Sequence, residues 1–264
     1  MAELTRYFSH QRRVRLLVFG TLLALLLLAQ VALQLNVIEA ATGVFAGWGW
    51  LVANFAPIAS AFPALGEISW QLAATVLIAI AATMVAAGVA LLLALAGART
   101  TSHWPLAQAL IRPFASIMRN IPFVAWALVL LFSFKQTPFT GFLALLLMSV
   151  GYLTRAFMET LDEVGHGVIE ALEATGAGYW AIICQGVLPA AAAPLVSWLL
   201  YMIENNIRDA TLVGMLTGTG VGFLFDLYFK SFRYPAAGLV VCAIILVTIA
   251  IELSATKLRQ VLNA

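Results

Sequence analysis

The sequence predicts an all-α membrane protein built from six transmembrane helices. Three observations carry that prediction. Of 264 residues, 63% are hydrophobic and 10% charged, against roughly 25% charge in a typical soluble domain, and the mean hydropathy is +0.99. The apolar residues gather into runs about as long as the twenty residues a helix needs to cross the hydrocarbon. One long stretch, Glu170 to Pro189 (E-A-L-E-A-T-G-A-G-Y-W-A-I-I-C-Q-G-V-L-P), is too polar to be such a span. A net charge of +2 is too small to point to nucleic acid as a partner, so membrane lipid is the expected surrounding. Cys184 and Cys242 lie far apart, one in the polar stretch and one in an apolar run, and are read as packing residues rather than a disulfide.

The spans follow in order. Arg6, His10, Arg12, Arg13 and Arg15 precede the first, Leu16 to Leu35. The run is long for a signal peptide and no clean cleavage site follows, so it reads as a retained span with a cytoplasmic N-terminus. Asn36 to Ser69 is apolar but broken by Gly43, Gly47, Gly49, Pro57, Pro63 and Gly66. Its tryptophans suit an interface, which predicts an external segment with a short helix lying against the bilayer. Gln71 to Ala96 is the second span. Trp104 to Phe134 is the third, and Pro122 within it removes a backbone hydrogen bond and bends the helix. Arg112 is expected to snorkel near the inner end; Arg119 sits deeper. Phe139 to Phe157 is the fourth span. Leu188 to Ile203 is the fifth, ending early at Glu204–Asp209, and Tyr234 to Leu253 is the sixth, with Lys257 and Arg259 anchoring a cytoplasmic C-terminus. No repeat or linker divides the chain, so a single domain over 1–264 is expected.

Within the polar stretch, Glu170, Ala171, Leu172, Glu173 and Ala174 are good helix formers. Gly176-Ala177-Gly178 breaks the helix, Tyr179 to Cys184 resumes it, and Leu188-Pro189 closes it. Two short helices joined by a glycine turn are marginal alone in water, so the unit is expected to be gripped by something else.

Charged groups at membrane depth cost at least about 2.5 kcal/mol each and normally face a cavity or a partner. Arg119 and Asn120 lie beside the Pro122 bend. Glu204 and Arg208 are four apart and share a helix face, as a mutually neutralising pair or as part of a passage, with Asn206 between them. Thr217-Gly218-Thr219-Gly220-Val221-Gly222 precedes an apolar helical stretch. Such a run is either a tight turn between closely packed helices or a helix N-terminus whose N–H groups favour an anion.

The spacing of Glu170-Ala171, of Gly176 and of Leu188-Pro189 resembles the cytoplasmic signature of ABC importer permeases. In that family the segment is the coupling helix that docks on a separate ATPase subunit. Gly186 stands where the family usually carries an aliphatic residue, a departure read as a weakened packing contact. Arg119-Asn120-Ile121-Pro122 and Glu204-x-Asn206-Ile207-Arg208-x-Ala210-Thr211 narrow the resemblance to the phosphonate-type permeases, over Ser69 to Leu258, with 1–68 as a first span and external segment. Phe123 replaces an acidic residue common in the family, and Thr217–Gly222 replaces G-A-G-G-I-G, so phosphonate, phosphite, hypophosphite and phosphate all remain open as cargo.

The resemblance implies a type I importer fold in the bacterial inner membrane. It assigns coupling to Glu170, Ala171, Glu173, Gly176, Ala177, Leu188 and Pro189, and a substrate passage to Arg119, Asn120, Glu204, Asn206, Arg208, Thr217, Gly218, Thr219 and Gly220. It also implies nucleotide-binding ATPase partners, an external substrate-binding protein and a second copy of the chain. No G-x-x-x-x-G-K-[ST] is present, since Lys135, Lys230 and Lys257 do not follow glycine, so ATP and magnesium are expected on the ATPase and no cofactor here. His10, His103 and His166 are scattered and read as non-ligands. The competing classes are a permease for another solute such as an amino acid, a gradient-driven secondary transporter, and a structural anchor.

Overall fold

All elements of the computed structural model, which describes residues 2–34 and 36–262, are helical. They fall into two units, Met1–Ala56 and Pro57–Ala264. The first holds α1 (Ala2–Ala32) and α2 (Val37–Phe55). No residue in the apolar window of α1 is buried within the chain, as expected of a helix whose leucines face lipid or another protein. The side chains of Arg6 and His10, and Leu35, lie outside the described residues. The chain leaves α1 through Gln34 at positive φ, and Asn36 starts α2 by accepting a hydrogen bond from the Glu39 N–H (3.2 Å).

The second unit begins with a 3-10 turn (Ala59–Ala64) and continues with α3 (Leu65–Gly97), α4 (Pro105–Asn120), α5 (Phe123–Phe134) and α6 (Pro138–Glu173). Then come α7 (Tyr179–Ala181), α8 (Leu188–Thr217), α9 (Gly220–Lys230) and α10 (Tyr234–Leu262). Among the described residues five helices are long and apolar enough to cross a membrane, or six if α4 and α5 count as one broken span, in agreement with the expected six.

Its core forms where α3, α6 and α8 meet. Ala82, Ala86, Ala90 and Ala94 recur every fourth residue on α3 and are fully buried. Small residues at that spacing let helix backbones approach closely, and the space is filled from α6 by Leu153, Phe157, Met158 and Leu161.

Three boundaries differ from the sequence expectation. The third span is not one bent helix but two helices meeting at 90° across Ile121-Pro122. Gly151 of α6 makes room for that break: a Cβ there would lie 2.5 Å from Met118 Cβ and 2.6 Å from the Arg119 backbone nitrogen. The fifth span does not end at Ile203, because α8 runs on to Thr217. The polar residues that suggested an end lie along that helix, with Asn206 hydrogen-bonded to α3 and α6 and Glu204 paired with two arginines. Nor does Pro189 close a helix. Residues Ile182–Val187 form a π turn leading directly into α8, with the Leu188 N–H donating to Ile183 O. A proline has no N–H and its ring crowds the carbonyl four residues back, and widening the preceding turn relieves both.

Candidate functional site

The Glu170–Pro189 segment lies at one end of the α3/α6/α8 bundle, between the last turn of α6 and the π turn. Glu170, Ala171 and Glu173 complete the 36-residue α6 and are exposed; Gly176 (φ 80°) makes the turn. Ala177 and Leu188 are half-buried, and Pro189 is exposed in the first turn of α8. The expected pair of isolated short helices is therefore two long helices joined by a five-residue turn, Ala174–Gly178, whose helical ends are stabilised by the bundle rather than by propensity. Gly186 corrects a second expectation. A Cβ there would overlap Leu172 Cδ1 and lie 2.9 Å from Val168 Cγ1, so these α6 side chains already fill the space an aliphatic residue would take.

Beside this turn the α3–α4 loop is tied down by Asp162, a residue that sequence reasoning passed over. Its Oδ1 accepts from the Arg99 N–H (2.6 Å) and the Thr100 N–H (3.0 Å), and its Oδ2 from Arg112 Nη2 (2.7 Å). Arg112 Nε donates to Gly97 O (3.1 Å). Arg112 thus bridges α4 to α3 and α6 rather than simply reaching toward solvent. An arginine and an aspartate fifty positions apart in mostly apolar sequence were the available signal, since unpaired charges there are costly.

Among the polar residues of α8, Asn206 points inward and is fully buried. Its amide donates to Thr83 Oγ1 of α3 (2.8 Å) and Ser149 Oγ of α6 (2.7 Å), while its Oδ1 has no partner. Thr83 and Ser149, isolated hydroxyls inside apolar spans, were also not singled out from sequence. Glu204 pairs with Arg208 (3.1 Å) and with Arg259 of α10 (3.3 Å). Glu204 is 11% exposed and Arg208 44%, so the acid is the shared buried partner of two arginines. Arg119 and Asn120 are exposed at the α4–α5 break. Asn120 Nδ2 donates to Ser116 O (2.6 Å), and Arg119 has no hydrogen-bond or ion-pair partner among the described residues.

Thr217 through Gly220 connect α8 to α9. Gly218 caps α8 in the left-handed region (φ 67°, ψ 31°), a conformation that costs glycine little. Gly220 follows at φ 68°. The Thr217 and Thr219 hydroxyls are 2.9 Å apart, and the first-turn N–H of Val221 donates to Thr75 Oγ1 of α3 (2.9 Å). At Gly222 a Cβ would collide with the Thr211 carbonyl of α8. The run is thus a close helix–helix turn with Thr75 on one of its free donors. The structure places Glu204, Asn206 and Arg208 on one helix and the glycine run at its end; no hydrogen bond or ion pair joins Arg119 to them among the described residues.

A broken span, polar groups on a long central helix and a paired-helix turn at one end describe a polytopic helical membrane protein. The chain belongs to the binding-protein-dependent transport system inner membrane component family, whose sequence profile matches residues 90–264. It is 28% identical over 234 residues to the phosphate-import permease protein of Mycolicibacterium smegmatis, covering 88% of this chain but 43% of that protein. It is 26% identical over 197 residues to the phosphite transport system permease protein of Stutzerimonas stutzeri, covering 74% of this chain and 72% of that one. The fold matches a chain of the MetNI methionine ABC transporter in an inward-facing form with TM-score 0.65 at 16% identity, over 76% of this chain and 98% of that one. The chain spans less than half the length of the mycolicibacterial relative.

Proposed function

We propose that this chain is the permease subunit of an ATP-driven importer for a phosphorus oxyanion, phosphonate, phosphite or phosphate. The observation that carries the cargo is Arg119, an exposed, unpaired guanidinium at a right-angle break between two apolar helices. A charge in that setting needs a counter-ion, and a guanidinium matches the geometry of a phosphorus oxyanion. Names of the sequence relatives support the same chemistry. Asn120 and Arg208 add donors on exposed surfaces, while Glu204 holds Arg208 in place. Asn206, Thr217, Gly218, Thr219 and Gly220 shape the passage from behind by fixing α8 and α9.

Two copies of the chain enclose the passage between them, with both termini in the cytoplasm. Glu170, Ala171, Glu173, Gly176, Ala177, Leu188 and Pro189 form the surface on which the ATPase subunits dock. ATP and magnesium belong to those subunits, this chain carrying no cofactor, and an external binding protein delivers the substrate. Closure of the ATPases moves the turns and switches the bundle between outward- and inward-facing states.

The test is uptake and ATP hydrolysis by the reconstituted permease, ATPase and binding protein with phosphonate, phosphite, phosphate and methionine in parallel. Stimulation by one or more oxyanions, and its loss in Arg119→Ala, is expected. Stimulation by methionine only would refute the cargo, and uptake without an ATPase subunit would refute ATP-driven transport.

A further inference from the structure

The coupling motif explains where an ATPase would push but not how the push reaches the α4–α5 break. The loop between α3 and α4, residues 98–104, carries the geometry of a connection. On one side the Tyr179 hydroxyl, in the first turn after Gly176-Ala177-Gly178, donates to Thr101 O (3.0 Å), and the His103 ring meets the Tyr179 ring edge-on at 4.9 Å. On the other side the loop is held by Asp162 through two consecutive backbone N–H groups and the Arg112 guanidinium. Thr100 Oγ1 also donates to Leu161 O (3.1 Å).

Inside the loop, Thr101 Oγ1 donates to Leu95 O (2.9 Å) and Gln108 Nε2 to Ser102 O (3.0 Å). A segment with its polar groups so engaged moves as a unit rather than flexing by itself. An open groove of about 570 Å³, lined by Leu92, His103, Trp104, Tyr179, Trp180 and Ile183, lies beside the loop and the turn. The far end of α4 carries Arg119. At 1.5 Å per residue, the sixteen residues of α4 span about 24 Å; Pro113 inside it removes one backbone hydrogen bond, but the helix is continuous from Pro105 to the break.

We infer that residues 98–104 are the transmission element between the Glu170–Pro189 turn and the passage, with Tyr179, Asp162 and Arg112 as positioning residues. Displacement of the turn carries Tyr179, Tyr179 carries Thr101, and the loop clamped by Asp162 and Arg112 carries α4 and Arg119. None of these three side chains is among the coupling or passage residues named above, although Tyr179 lies within the Glu170–Pro189 stretch. The inference rests on the ATP-driven reading proposed above and holds for whichever cargo the importer takes.

The experiment compares ATP hydrolysed with substrate taken up in the reconstituted full complex. Tyr179→Phe removes one hydroxyl and keeps the ring against His103. It is expected to leave ATP hydrolysis near wild type while lowering uptake roughly twofold to thirtyfold, the range spanned by coupling changes at residues that touch neither ligand. Asp162→Asn and Arg112→Ala are expected to raise the same hydrolysis-to-uptake ratio, and Arg112→Lys, which keeps the charge, to recover part of the loss. A Tyr179→Phe complex in which hydrolysis and uptake fall together, or in which neither changes, overturns the inference. Should Asp162→Asn fail to assemble, Tyr179→Phe still decides, because it removes only one hydroxyl at the edge of the bundle. A wild-type complex that imports methionine but no oxyanion refutes the cargo alone, and the ratio is then measured with methionine. A wild-type complex that shows no substrate-stimulated hydrolysis refutes the importer reading itself, and with it this inference.

Discussion

Replacing Asn206 separates a polar pin inside one subunit from a group that touches cargo. Its amide makes two interhelical hydrogen bonds, to Thr83 and Ser149, each worth about 0.6 kcal/mol in a membrane bundle. Asn206→Leu loses both, about 1.2 kcal/mol together by that measure. It also removes a buried, unpaired Oδ1, and relief of such an atom returns about 1–3 kcal/mol. Thr83 keeps its bond to Ala79 O (2.7 Å), so only Ser149 loses a neighbour. The terms nearly cancel, and Asn206→Leu is expected within about 1 kcal/mol of wild type. Asn206→Asp places a carboxylate in the same closed space, at a cost of at least about 2.5 kcal/mol. At about 2–4 °C per kcal/mol for a domain somewhat smaller than this chain, thermal unfolding followed by tryptophan fluorescence puts the leucine variant within about 4 °C of wild type and the aspartate variant about 5–10 °C below it. Equal loss in both variants would refute the balance worked here. An Asn206→Leu protein with unchanged Tm but no uptake would place Asn206 against the cargo instead.

Three further perturbations test the packing. Gly222→Ala drives a methyl into the Thr211 carbonyl of α8, and because backbone cannot step aside it is expected to destabilise by about 2 kcal/mol or more, roughly 4–8 °C in Tm; an unchanged Tm would contradict that. Gly186→Val pushes into Leu172 and Val168, so it is expected to weaken ATPase retention in a pull-down, and a compensating Leu172→Ala to restore part of it; additive losses would argue against direct contact. Glu204→Gln removes the acid that Arg208 and Arg259 share. The prediction is faster tryptic cleavage near the end of α10, and an unchanged digestion rate would show that the Glu204–Arg259 contact does not hold that helix.

Much of the architecture was legible because apolar runs of span length are local properties of the chain. The Pro122 break was legible too, as a bend, but its right angle was not. That angle depends on Gly151 in another helix lying against Met118 and Arg119, and no local rule reports such a neighbour. The early end assigned at Glu204 failed for a related reason. A cluster of polar residues reads as a helix end when nothing is known of partners, and here the partners are Thr83, Ser149 and Arg259, dozens of residues away. Asp162 went unmarked because an aspartate near an inner helix end is unremarkable until two backbone N–H groups and an arginine converge on it.

Composition, span lengths and the spacing of the Glu170–Pro189 and Glu204–Thr211 motifs were therefore enough to point to a helical membrane permease. They record which chemical groups the chain carries and how far apart along it they lie. Which face of a nearly uniform apolar helix turns inward is a different matter, because such a helix has almost no hydrophobic asymmetry to orient it. Close packing of α3, α6 and α8 made that choice. It turned Asn206 inward and left Arg208 outward, and tertiary contacts brought Tyr179, Thr101, Asp162 and Arg112 together around the α3–α4 loop.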